Sequence, residues 1–119
     1  MEKIDQRFLR YVAVDTQSNE DSETQPSEDK ELDLLRMLCA ELRSLGVDAT
    51  LDEYGYVMGR IPSNVEADVP AIGFIAHVDT APDASGEGVN PQIVPDYDGS
   101  DILLKGSGEY LKPADFPEL

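Results

Sequence analysis

Leu32, Leu35, Leu38, Cys39, Leu42 and Leu45 recur at spacings of three and four, the period of one face of an α-helix. At about 100° per residue, these positions and Leu34 fill an arc of roughly 160°, wide enough to lie across a sheet rather than along a single partner helix. Any fold for this chain must therefore bring a sheet to this helix. Ser27 stands where an N-cap is needed, and Glu28, Asp29 and Glu31 put negative charge at the positive end of the helix dipole. Gly46 follows as a left-handed C-cap, so the pattern predicts a helix over Ser27 to Leu45. Cys39 falls inside the apolar arc and reads as a small core residue rather than a reactive thiol.

The surrounding pattern supplies candidate strands. Ile4, Phe8, Tyr11 and Val12 mark a first helix over Lys3 to Val14; the helical pattern fails at Asp15-Thr16-Gln17-Ser18, and Gln17 to Pro26 is a polar loop. Val47 to Leu51 and Val57 to Ile61 read as a hairpin about Tyr54-Gly55-Tyr56. Ala71 to Ala76 is a continuous apolar run, the pattern of a strand covered on both faces, and it predicts the interior strand of the sheet, reaching Val78. Thr80 to Pro95 is rich in Pro, Gly and small polar residues and forms a long irregular segment. Two short strands are expected near Gln92 to Val94 and Ile102 to Leu104, with Asp98-Gly99 as the turn between them. The tail from Tyr110 to Leu119 shows no closing element, and Gly106-Ser107-Gly108 is too common a pattern to mark a phosphate loop. The fold class is α/β, in a single domain.

Charge and cysteine content exclude several functions. Of 119 residues, 25 are acidic and 9 basic, for a net charge of -16. Proteins that bind nucleic acid concentrate Lys and Arg against phosphate, and anionic membrane surfaces attract the same residues, so neither is expected as a partner. A single Cys rules out an internal disulfide and every Cys-rich zinc site. No leader is visible, and the uncharged run Val69 to Ala76 is far short of the ~20 residues a bilayer requires. A reducing, cytoplasmic compartment is the expectation.

The chemistry-bearing residues follow the apolar run directly. In an extended chain His77 and Asp79 point to the same face, and both stand at the carboxyl end of the expected interior strand, where open α/β sheets hold ligands. His77 is the only His, and Asp83 adds a further acid in the next loop. A neutral imidazole suits zinc, and a carboxylate can orient it or share the metal. The same spacing also describes a strand-end His bonded to a neighbouring acid with no metal, and spacing alone leaves both readings open.

The run from Pro70 through Phe74-Ile75-Ala76-His77-Val78-Asp79-Thr80-Ala81-Pro82-Asp83, with Gly88-Val89-Asn90-Pro91-Gln92-Ile93-Val94 after it, resembles the M20 metallopeptidases, and specifically their tripeptide-aminopeptidase branch. Arg7-Phe8-Leu9-Arg10-Tyr11-Val12 with Asp15-Thr16-Gln17-Ser18 resembles that family's opening helix and loop, and Phe116-Pro117 a segment leading to its next active-site element. His-x-Asp is common to the whole family, whereas Asp-Thr-Ala-Pro-Asp and Val-Asn-Pro-Gln are more specific to this branch. The resemblance implies a three-layer α/β sandwich of the zinc-peptidase (phosphorylase/hydrolase-like) type, with a central mixed sheet and flanking helices. Residues 1–119 would be the N-terminal part of its catalytic domain, without the rest of that domain or the lid and dimerisation domain.

By the same resemblance, His77 would ligate one of two Zn2+ ions and Asp79 would act catalytically by holding its imidazole. The activity implied is release of the N-terminal residue from tripeptides by an enzyme that can form a homodimer. The remaining ligands and the general-base Glu would lie after Leu119, so the chain alone is expected to hold zinc weakly and to be inactive. Other M20 activities, such as a dipeptidase or a deacylase, and a non-catalytic acidic binding module are the alternatives.

Overall fold

The amphipathic stretch expected to organise the chain does so, but Lys30 rather than Ser27 stands at its N-cap, with no side-chain capping bond. The computed structural model describes residues 2–119, in the order α1 (Ile4–Val12), α2 (Glu31–Ser44), β1 (Asp48–Leu51), β2 (Val57–Arg60), β3 (Ile102–Leu103) and β4 (Tyr110–Leu111). Helix α2 begins at Glu31 rather than at Ser27. The Glu31 carboxylate accepts hydrogen bonds from the Ser27 hydroxyl and, at 3.1 Å, from the Glu28 amide. Residues 27–30 are thereby drawn into a turn, and the amides of Glu31, Leu32 and Asp33 donate to carbonyls three residues back. At the other end Gly46 has φ +81°, its amide donates to the Arg43 carbonyl, and that of Val47 donates to Leu42. These paired bonds form a Schellman motif, which satisfies carbonyls that the helix end would leave open.

β1 and β2 pair antiparallel, Asp48 opposite Arg60 and Leu51 opposite Val57, and α2 lies on this hairpin. Leu34, Leu35, Cys39 and Ala49 form the buried apolar centre. Leu38 and Leu42 are half-buried and Leu45 is exposed, so the hairpin covers less of the apolar arc than a broad sheet would. The connecting turn is set by Asp52, whose carboxylate accepts from the amides of Tyr54 and Tyr56 at 3.0 and 2.8 Å. Gly55 in that turn has φ +86°, and a Cβ there would meet Leu35 Cδ1 at 3.3 Å. Both the left-handed conformation and the close approach of the core leucine call for glycine.

Helix α1 is shorter than the predicted Lys3 to Val14, and its apolar edge is exposed at Ile4 and Phe8. Its link to α2 is ionic. Glu41 accepts a hydrogen bond from Arg10 Nη2 at 2.7 Å and lies 3.0 Å from Arg7 Nε as an ion pair without a hydrogen bond, and Arg10 Nη2 also pairs with Glu2 at 2.8 Å.

Two expectations fail in the C-terminal half. Ala71 to Ala76 is not a strand of any sheet: Ile72, Phe74 and Ile75 are 82, 95 and 101% exposed. A strand apolar on both faces is stable inside a sheet only with a neighbour on each edge, and among the described residues the sole pairing near this run is a parallel bridge from Gln17 to Thr80, beyond its end. Ile102–Leu103 pairs with Tyr110–Leu111 rather than with Gln92 to Val94, so the tail does carry a strand. Gly106-Ser107-Gly108 makes the turn between them, with Gly108 at φ +77°. Asp98-Gly99 still turns the chain, Asp98 accepting from the Ser100 amide at 3.0 Å, but without a hairpin around it.

The described residues therefore form a small α/β arrangement of two antiparallel hairpins with helices beside one of them, in agreement with the expected α/β class, and show no three-layer sandwich. The radius of gyration is 18.3 Å, where a compact chain of this length would have ~13.5 Å. The accessible surface is 9929 Å², against ~6,300 Å² for a compact monomer of this mass. Among the described residues, no helix is long and apolar enough to cross a membrane.

Candidate functional site

The unpaired run delivers His77 and Asp79 to the place where, among the described residues, hydrogen bonds pin the second half of the chain to the first. The loop after α1 runs beside residues 78–82. The Thr16 hydroxyl donates to the Val78 carbonyl at 2.8 Å, the Thr80 amide donates to the Thr16 carbonyl at 3.0 Å, and the Ser18 amide donates to the Thr80 carbonyl at 2.9 Å. Gln17 Nε2 adds a bond to the Pro82 carbonyl at 3.0 Å. The loop is itself anchored by Asp15, whose two carboxylate oxygens accept from the Gln17 amide at 3.0 Å and from Lys30 Nζ at 2.9 Å. The amide bond first, and the Lys30 ammonium second, hold the Asp15 carboxyl below its ordinary range. A Cβ on Gly86 would lie 2.6 Å from Asp15 Oδ1, so the irregular segment folds back onto the same loop where only glycine fits. Thr16 is 3% exposed, which makes this clamp one of the few buried polar features of the molecule.

His77 and Asp79 are brought together as their spacing predicts. His77 Nδ1 lies 3.1 Å from Asp79 Oδ1 and 3.0 Å from the Asp79 carbonyl oxygen. Both of those oxygens are acceptors, so Nδ1 is the nitrogen that carries hydrogen, and Nε2 of a neutral ring keeps its lone pair. The side chain is 84% exposed, leaving Nε2 open to a ligand. The pair borders an open cleft of about 570 Å³ that Glu31, Leu35, Tyr54 and Tyr56 also line. Asp83 is exposed in the loop beyond.

This arrangement suits one imidazole ligand of a zinc ion, with a carboxylate behind it fixing the ring and raising its basicity. It does not make a complete site. Among the described residues, no group of three or more His, Cys, Asp or Glu is placed to hold a metal, whereas zinc sites use at least three protein ligands. Sequence reasoning located the pair but missed the clamp. Its signal was the polar Asp15-Thr16-Gln17-Ser18 stretch at the end of α1, which composition alone marks only as loop.

No protein-family model matches the chain. Its similarity to individual proteins is high and continuous: it is 56% identical to "Peptidase T" of Aliivibrio fischeri over 120 aligned positions that include the whole chain. The chain is a homologue of peptidase T. Peptidase T of Aliivibrio salmonicida is 55% identical and that of Clostridium acetobutylicum 53%, again over 100% of the chain. The chain spans 29–30% of the length of these curated relatives. Peptidase T homology bears out the M20 resemblance drawn from the His77-Val78-Asp79 region and its flanks.

Proposed function

We propose that residues 1–119 are the N-terminal part of the catalytic domain of a zinc-dependent aminopeptidase that releases the N-terminal residue from short peptides, chiefly tripeptides. The observation that carries this reading is the pairing of His77 Nδ1 with Asp79 in a chain 53–56% identical to peptidase T throughout. His77 would offer Nε2 to one of two zinc ions, and Asp79 would hold the ring in the tautomer that leaves Nε2 free. The metal, when bound, would lower the pKa of water and polarise the scissile carbonyl. The other ligands, the general base, and the lid and dimerisation domain belong to the longer protein, which would act in the cytoplasm.

The test uses a longer protein that carries these residues, measuring zinc per protomer, thermal midpoint and kcat on the same preparations. His77→Ala should lower zinc content and activity together. Asp79→Asn should keep most of the zinc while kcat falls by at least ~10-fold, the lower end of the effects of losing a carboxylate behind a metal-bound His. Full zinc content in folded His77→Ala would eliminate His77 as a principal ligand, and full activity in folded Asp79→Asn would eliminate the role of Asp79. Faster turnover of dipeptides or N-acyl amino acids than of tripeptides would reassign the substrate class. The 119-residue chain alone should hydrolyse no tripeptide at any zinc concentration.

A further inference from the structure

The peptide link between His77 and Asp79 is held from outside. The Val78 carbonyl, which lies between the two residues, accepts the hydroxyl hydrogen of Thr16 at 2.8 Å, across 62 residues of sequence. Thr16 is nearly inaccessible, and its own carbonyl takes the Thr80 amide at 3.0 Å, so it grips the backbone on both sides of Asp79. Neither His77 nor Asp79 has comparable support: their side chains are 84 and 45% exposed. An exposed pair free to rotate would share its time among many rotamers, and the Nδ1–Asp79 contact would be lost in most of them. Fixing the backbone on both sides of Asp79 holds in place the Asp79 carbonyl oxygen that lies 3.0 Å from Nδ1 and limits where the carboxylate can swing.

We propose that Thr16 is a positioning residue that sets the tautomer of His77 by fixing Val78 and Asp79, with Asp15, Lys30 and Gly86 holding Thr16 in place. The proposal rests on the peptidase reading, since it gives Thr16 a part in presenting Nε2. It touches neither metal nor substrate. A merely structural Thr16 would contribute stability, and its loss would leave the ring's preference unchanged.

The experiment reads the imidazole directly. Long-range proton–nitrogen correlation on the 15N-labelled 119-residue chain at pH 9, where an ordinary imidazole is neutral, reports which ring nitrogen carries hydrogen. Amide exchange in α2 and the β1–β2 hairpin serves as the control for folding. In the unsubstituted chain Nδ1–H should dominate. Thr16→Val, which keeps the shape and removes the hydroxyl, should lower the Nδ1–H to Nε2–H ratio about fivefold, the worth of one ordinary hydrogen bond. It should also speed exchange of the Thr80 amide. Thr16→Ser should restore the ratio to within about twofold, since it keeps the donor.

An unsubstituted chain dominated by Nε2–H would overturn the pairing itself, and the peptidase site with it. An unchanged ratio in Thr16→Val whose α2 remains protected would overturn the role of Thr16 alone. If Thr16→Val also loosens α2, Gly86→Ala replaces it, because the added Cβ displaces Asp15 from 2.6 Å away. An unchanged ratio there overturns the proposal equally.

Discussion

Replacing Phe74 by Ala should leave the stability of this 119-residue chain almost unchanged, although Phe74 sits in the most apolar run of the sequence. Its side chain is 95% exposed, so folding removes only the remaining twentieth of its area from water. For a phenylalanine of ~200 Å² that is ~10 Å², or ~0.25 kcal/mol at 25 cal/mol per Å². Burial in a covered central strand, as the sequence pattern predicts, would make the same change cost ~3–5 kcal/mol. Leu35→Ala is the matched comparison. Leu35 is 6% exposed and lies against the Gly55 turn, so its truncation opens a cavity beneath the hairpin and should cost ~2–5 kcal/mol.

Urea unfolding followed by far-ultraviolet circular dichroism separates these outcomes. The slope of that transition is a second check. Unfolding this chain exposes ~8,900 Å², about 70% of what a compact monomer of its mass would expose, so the slope should be reduced in proportion. A cost above ~1 kcal/mol for Phe74→Ala, or below that for Leu35→Ala, would refute the placement of the core.

Acid should weaken the α1–α2 link in a defined window. The Glu41 carboxyl lies below its ordinary 4.5, chiefly through its bond to Arg10, and Asp15 lies below 3.8 through the Gln17 amide and Lys30. Carboxyls lowered in the folded state stabilise it above their ordinary pKa, and the stabilisation is lost as pH falls through the lowered values. Stability measured between pH 6 and 2 should therefore decline below about 4.5, and Glu41→Gln should flatten the upper part of that decline. A pH profile unaffected by Glu41→Gln would remove the ionic link from the account. Gly46→Ala should cost ~1–2 kcal/mol, since nothing lies within 4 Å of the added methyl and only the left-handed backbone at φ +81° opposes it. A neutral result in denaturant titration would count against the Schellman cap.

What could be read in advance was what depends on near neighbours. The apolar period of α2, its glycine stop and the Asp52-to-Tyr56 turn are each set within a few residues, and all form with small shifts of boundary. His77 and Asp79 were legible for the same reason, being two positions apart. The run Ala71 to Ala76 misled because its composition records what such a strand is suited to be covered by, and the described residues supply no cover. The pairing of Ile102–Leu103 depended on choosing between two glycine-containing turns of similar appearance, and the tighter connection through Gly108 prevailed. Thr16 carried no local sign of its partner, since a hydroxyl in a polar loop looks the same whether it bonds water or a carbonyl 62 residues away.

That separation also orders the chain in time. Helix α2 and the β1–β2 hairpin close through contacts within Glu31–Arg60, and the Asp15–Lys30 pair spans only 15 residues. Once that unit is folded, the Thr16–Val78 bond closes the flexible stretch from Arg60 to Val78, whose length-dependent entropy is ~2.6 kcal/mol by the logarithmic rule. During synthesis the first unit can be complete while Val78 is still unmade, with the Asp15 loop already tethered to α2 and its hydroxyl waiting. The His–Asp pair is then delivered onto a receptor built before it, and the contacts that surround the imidazole form only after that receptor is in place.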